Sequence, residues 1–134
     1  MTAGELVVRV RYPEVDRMNV AHHMHFLTWM EMGRTEWMRS AGVPYGVLED
    51  RDGLRFPVTE VQVSYHRAAR YDEELNVRTA LSHADRIRVR FEYEVSRHDE
   101  NGLLATGHSV HACVRRDGRP TRMPKALLAR LTAC

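Results

Sequence analysis

His23-Met24-His25-Phe26-Leu27-Thr28-Trp29-Met30-Glu31-Met32-Gly33-Arg34-Thr35-Glu36-Trp37-Met38-Arg39-Ser40-Ala41, followed by Gly42, reads as one long helix and its stop. Phe26, Leu27, Met30, Trp37, Met38 and Ala41 recur at helical spacing, and Gly42 stands where a terminating glycine is expected. Such a helix spans about 27 Å at the usual rise per residue. Met24, Met30, Met32 and Met38, with Trp29 and Trp37, are expected in the core. Pro44 to Glu49 has room for one further turn.

Outward from this helix the period changes. Residues 5–11 are β-branched and partly alternating, and Pro13 stops the pattern by removing a donor. A mixed loop then runs to about His22. After Asp52-Gly53, Phe56, Val58, Val61, Val63 and Tyr65 begin a β run, and Leu75, Val77 and Thr79 form a second. Ile87, Val89, Phe91, Tyr93 and Val95 alternate with Arg88, Arg90, Glu92 and Glu94, the cleanest strand in the chain. Leu103 to Arg116 is another, ended by Asp117-Gly118-Arg119-Pro120, and Pro124 opens a short helix through Leu131. Consecutive strands without helical crossovers imply a mostly antiparallel sheet, so the fold class is α+β in a single domain over 1–134. One helix covers one face of such a sheet, and the face left open points to homo-oligomerisation.

The chain has 134 residues, 43% of them hydrophobic, enough for a core without disulfides or a structural metal. A net charge of +2 with 28% charged residues gives no sign of a nucleic-acid protein. No apolar run approaches the ~20 residues that cross a bilayer, and no secretory signal is visible. The expectation is a cytoplasmic protein. Cys113 lies in an apolar strand run and reads as inert core, and Cys134 is a chain end.

Val10-Arg11-Tyr12-Pro13-Glu14-Val15-Asp16, followed by Asn19-Val20-Ala21-His22-His23-Met24-His25-Phe26, resembles the opening of the 4-hydroxybenzoyl-CoA thioesterase-like hotdog proteins. Glu31 and Arg34 in the helix, Tyr65 to Leu75, Gly118-Arg119-Pro120 and Met123-Pro124 extend the resemblance over nearly the whole chain. It implies a hotdog fold, a sheet of about five strands wrapped around the long helix. It also implies an acyl-CoA thioesterase assembled as a homo-oligomer, a dimer of dimers, with no cofactor, nucleic acid or membrane partner. Asn19 replaces the family's glycine, His22 its tyrosine, His25 its asparagine and Ala68 its proline. Asparagine tolerates the left-handed backbone that glycine normally supplies, so the turn at Asn19 can survive.

Thioester hydrolysis needs a group that attacks the carbonyl or activates water, and donors for the developing oxyanion. By resemblance Asp16 is the nucleophile or general base, and the backbone N–H of His23 polarises the carbonyl. A helix N-terminus suits that second role, because its first amides lack intrahelical partners and its dipole favours negative charge. On the residues alone Asp16 reads as a turn or capping residue, and it is the resemblance that favours the catalytic role. Tyr12, His22, His25, Phe26 and Glu31 are the substrate-binding candidates, although Glu31 could instead pair with Arg34 at i+3.

The histidine cluster lacks ligand-like spacing to a carboxylate or cysteine, so no metal is expected. One of its imidazoles is expected to orient Asp16 or the substrate. Arg119 and Arg122 near the last turn, and Arg86 and Arg88 at the fourth strand, are candidates for the phosphates of coenzyme A. Two other readings stay open. One is a non-catalytic acyl-CoA binding module, the other a hotdog hydratase or dehydratase acting on acyl thioesters.

Overall fold

The computed structural model describes residues 3–99 and 102–133. Strand β1 (Ala3–Arg9) is followed by helix α1 (Met24–Ser40), a short turn α2 (Tyr45–Val47) and a wide turn over residues 48–52. Strands β2 (Leu54–Arg55), β3 (Val58–Tyr65), β4 (Glu74–Ala84), β5 (Arg88–Arg97), β6 (Leu103–Ala112) and β7 (Val114–Arg115) come next. Helix α3 (Lys125–Thr132) follows the β7 strand and the loop after it. Five strands form one sheet in the order β1-β4-β5-β6-β3, every pair antiparallel, while β2 and β7 make a small separate ribbon.

Alternation decides which side of the sheet meets the helix. In β4 and β5 the residues Val77, Thr79, Leu81, Val89, Phe91, Tyr93 and Val95 are buried. Their neighbours Arg78, Glu92 and Glu94 are exposed. This is the two-residue period of a sheet with one covered face. Helix α1 supplies the cover, burying Phe26, Trp29, Met30, Trp37 and Met38. Ile87, expected within β5, precedes the strand and is exposed.

Two expectations about the helix need correction. Met24 and Met32 are 55% and 44% exposed, whereas Met30 and Met38 are core. Leu27 also faces away from the sheet core. With 3.6 residues per turn the buried stripe runs through 26, 29–30, 33 and 37–38, and positions 24, 27 and 32 fall outside it. At its end, Gly42 takes φ +81. Its amide donates to the Arg39 carbonyl and the Val43 amide to the Met38 carbonyl, both at 3.0 Å. These two bonds are the Schellman closure that a left-handed glycine permits.

Gly33 sets how closely α1 approaches the sheet. A Cβ there would lie 2.5 Å from Thr79 Oγ1 and 2.9 Å from Val77 Cγ1 on β4. Neither atom sits at the end of a flexible side chain, so a methyl group forces helix and strand apart. Gly33→Ala is expected to destabilise the fold by about 1–3 kcal/mol through overpacking, despite the better helix propensity of alanine. Urea-denaturation midpoints of the two proteins measure this, and an unchanged or higher midpoint would show that the contact can relax.

Candidate active site

The segment before α1 is built by local hydrogen bonds. Tyr12–Glu14 form a single 3-10 turn starting at the proline-containing break. Glu14 is 2% exposed, with its carboxylate accepting from the Arg11 amide at 2.7 Å and the Arg11 guanidinium at 3.3 Å. Burial works to raise this carboxyl, but the Arg11 amide and guanidinium together with nearby His25 hold it below the usual carboxylate value. The sequence pattern does not single out Glu14. The local signal is a glutamate three residues after a turn-opening position, able to reach back to its amide.

Val15 and Ala21 pair across a tight loop. The Asp16 amide donates to the Val20 carbonyl at 2.9 Å and the Asn19 amide to the Asp16 carbonyl at 3.0 Å. Asp16 Oδ1 accepts from the Met18 amide at 2.8 Å, closing an Asx turn. Asn19 has φ +61, the left-handed conformation expected where the family carries glycine. The Ala21 amide donates to Ala69 at 2.7 Å, which fixes the loop to the segment between β3 and β4.

Asp16 is exposed, and among the described residues its second carboxylate oxygen meets no partner. Among the described residues no imidazole hydrogen-bonds to Asp16. His22 Nδ1 instead accepts from the Met24 amide at 3.2 Å, satisfying one of the orphan donors of the first helical turn. Its ring stacks on His23 with centroids 4.2 Å apart. The His23 carbonyl is held by the Phe26 amide and by the Tyr65 hydroxyl, which donates at 2.9 Å. Among the described residues nothing accepts from the His23 N–H.

The other candidates are distributed as follows. Phe26 is buried, edge-on to Trp29 and Tyr65, and Tyr12 is exposed against Tyr71. Arg86 Nε donates to the Met123 carbonyl, which brings Arg86 beside exposed Arg122. Arg119 is exposed next to Asp117, and Arg88 lines a separate shallow cavity with Arg90 and His83. Burial pushes the Cys113 thiol up, as suits inert core.

Glu31 and Arg34 do not form an ion pair; Arg34 Nη1 donates instead to the Tyr93 hydroxyl at 3.1 Å. Tyr93 meets Ser109 Oγ at 2.5 Å, Ser109 meets His111 Nε2 at 2.8 Å, and His111 Nδ1 meets the Phe56 carbonyl at 3.0 Å. The half-buried Tyr45 phenol completes the surroundings of Arg34, with its pKa pushed up to about 12 chiefly by burial. The signal for this chain is polar residues at alternate, inward positions of β5 and β6, among apolar ones.

A five-stranded antiparallel sheet covered on one face by one long helix is the architecture of a hotdog-fold protein. A family model described as the thioesterase-like superfamily matches residues 10–131, and the chain belongs to that family. The acyl-CoA thioesterase YbgC of Haemophilus influenzae is 31% identical over 124 residues, 91% of this chain and 89% of that one. The hypothetical protein TT1821 from Thermus thermophilus has a solved structure with TM-score 0.91 and 33% identity, covering 98% of this chain and 97% of that one. A 4-hydroxybenzoyl CoA thioesterase solved with 4-hydroxybenzoyl CoA aligns at TM-score 0.85 over 96% of this chain and 98% of that one. At 17% identity this is a likeness of fold.

His111 gives the site a pH signature. It is 0% exposed, and its pKa falls from the ordinary 6.5 to about 4, first through burial and then through the Arg34 charge, against the Phe56 carbonyl. Between those two values the unfolded chain binds a proton that the folded chain refuses. Stability therefore falls as pH drops below about 6.5, and the loss is complete below about 4. At ~1.36 kcal/mol per pKa unit it is of the order of 3 kcal/mol. His111→Gln is expected to remove this component. Unfolding free energies at pH 7 and pH 4 should then differ by less in the variant, and equal slopes would refute the assignment.

Proposed function

We propose that the chain hydrolyses acyl-CoA thioesters, with Asp16 as nucleophile or general base and the His23 amide polarising the thioester carbonyl. The observation that carries this reading is the pair of unused groups at the start of α1. One is a carboxylate oxygen without a partner, and the other an N–H without an acceptor. Oxyanion binding needs no imidazole at His23, only the main chain in a helix-terminal conformation with φ −55 and ψ −29. The bond from Tyr65 to the His23 carbonyl supports the role by holding that peptide in place. Such a preorganised donor acts on charge that develops only in the transition state.

The carboxylate then has two routes. As nucleophile it forms an anhydride with the acyl group and expels the thiolate, and water then cleaves the anhydride to release the acid and restore the carboxylate. As general base it takes a proton from water as the water attacks. The phosphates of coenzyme A are assigned to Arg119 and Arg122, both of which are exposed.

Assembly through β3 belongs to the same proposal. This strand is at the edge of the sheet, and exposes Val58, Val61 and Tyr65. An open edge of that length invites pairing with another strand, and a second copy of β3 would offer the same apolar side chains.

Asp16→Asn keeps the acceptor that closes the Asx turn and removes the charge. Thiol release from acyl-CoA esters is expected to fall about a hundredfold to ten-thousandfold, with the unfolding midpoint nearly unchanged. Wild-type turnover in that variant would exclude the mechanism. For the assembly, light scattering on wild type should give a dimer or a larger closed oligomer, and Val61→Glu should shift it toward monomer. A monomeric wild type at micromolar concentration would rule out the β3 interface.

A further inference from the structure

The loop and helix N-terminus leave unexplained the polar chain at the other end of the same helix face. A cavity of about 150 Å3 lies there, lined by Leu27, Met30, Val58 and Val61 and by the polar groups of Arg34, Tyr93 and Ser109. Both its walls lead back to the proposed reaction centre. Leu27 and Arg34 lie about 6 and 16 Å along α1 from His23 at the usual helical rise. Val61 and Val58 lie about 13 and 23 Å back along β3 from Tyr65, whose hydroxyl holds the His23 carbonyl.

The proton positions in the chain follow from its last member. The Phe56 carbonyl can only accept, so His111 Nδ1 carries the hydrogen and Nε2 of the neutral ring is an acceptor. The Ser109 hydroxyl therefore donates to Nε2, the Tyr93 hydroxyl donates to Ser109 Oγ, and Arg34 donates to Tyr93. Each hydroxyl proton is committed to the next group toward the core. Arg34 is thus the only member of the chain with donors left over, and a guanidinium has five.

The charge of Arg34 also lacks a counter-ion. Among the described residues no carboxylate pairs with it, and its polar neighbours are the phenols of Tyr93 and Tyr45. Its Nε is sealed from solvent without an acceptor. Glu31, exposed on the rim of the same cavity, stays unpaired with it. Burial works against this cation, while the Tyr93 and Tyr45 phenols support it and carry its pKa up on balance. Neither phenol neutralises its charge, and the planar guanidinium fork matches a carboxylate.

We propose that this cavity is the acyl pocket and that Arg34 selects acyl groups ending in a carboxylate, making ω-carboxyacyl thioesters the preferred substrate class. The inference rests on the thioesterase reading above. The apolar walls take the methylene chain, and Arg34 takes the distal carboxylate in place of its missing counter-ion.

The test compares thiol release from acyl-CoA pairs of equal length, one ending in methyl and the other in carboxylate, at six, eight and ten carbons. At the best length kcat/KM for the carboxylate is expected to be higher by about tenfold or more, the contribution of one charge-assisted hydrogen bond. Arg34→Gln should bring that ratio to near one, Arg34→Lys should keep part of it, and Glu31→Gln should raise it. The ratio within one protein is insensitive to a general loss of stability. If Arg34→Gln does not fold, the wild-type ratio and Arg34→Lys decide the matter. A wild-type ratio of one or less at every length overturns the proposal and leaves the thioesterase reading standing. So does a preference that survives Arg34→Gln undiminished. Hydrolysis of no ester at any length overturns both.

Discussion

Helix α1 lies almost against the backbone of the sheet because Gly33 presents no side chain to Val77 and Thr79. That close seat is the constraint on which the rest of the molecule depends. With the helix axis fixed there, Trp29 and Trp37 fill the space on either side of the contact. The same packing sets the direction in which the helix N-terminus points. It also determines that Leu27, Glu31 and Arg34 look outward along β3, where a cavity remains. Interiors pack at crystal-like density, so a displacement at Gly33 would be transmitted along the helix to both its ends.

Polarity along that groove is arranged with little redundancy. At one end an Asx turn consumes one oxygen of Asp16, and a hydroxyl from β3 holds the His23 peptide. At the other end a directed chain of hydrogen bonds runs from Arg34 to a neutral, buried His111. Leu27, Met30, Val58 and Val61 give the cavity beside Arg34 its apolar walls. Polar groups in a low-dielectric interior are strongly destabilising when unmet, which is why Tyr93, Ser109 and His111 are each hydrogen-bonded.

The legible parts of the sequence were those whose information is local or periodic. The alternation from Val89 to Val95 and the glycine at 42 describe their elements directly, because side-chain period and left-handed φ are properties of short segments. The left-handed turn at Asn19 was legible through the resemblance, as the place where the family carries glycine. Glu14 was not, since its burial depends on the Arg11 amide and on what packs above the turn. Met24 and Met32 look as apolar as Met30, and only the angular position of the stripe separates them.

By itself the sequence determined an α+β chain with one long helix, a run of antiparallel strands and a carboxylate loop ahead of the helix. Those features follow from spacing and from turn chemistry. Only the tertiary structure decided the partners. Arg34 passes over Glu31, its neighbour on the helix, for Tyr93, 59 positions away in the chain. His22 turns to the helix amide of Met24 instead of to Asp16. The reason is physical: a side chain's partner is set by which strand lies opposite it, and register between distant segments leaves no local trace in either one.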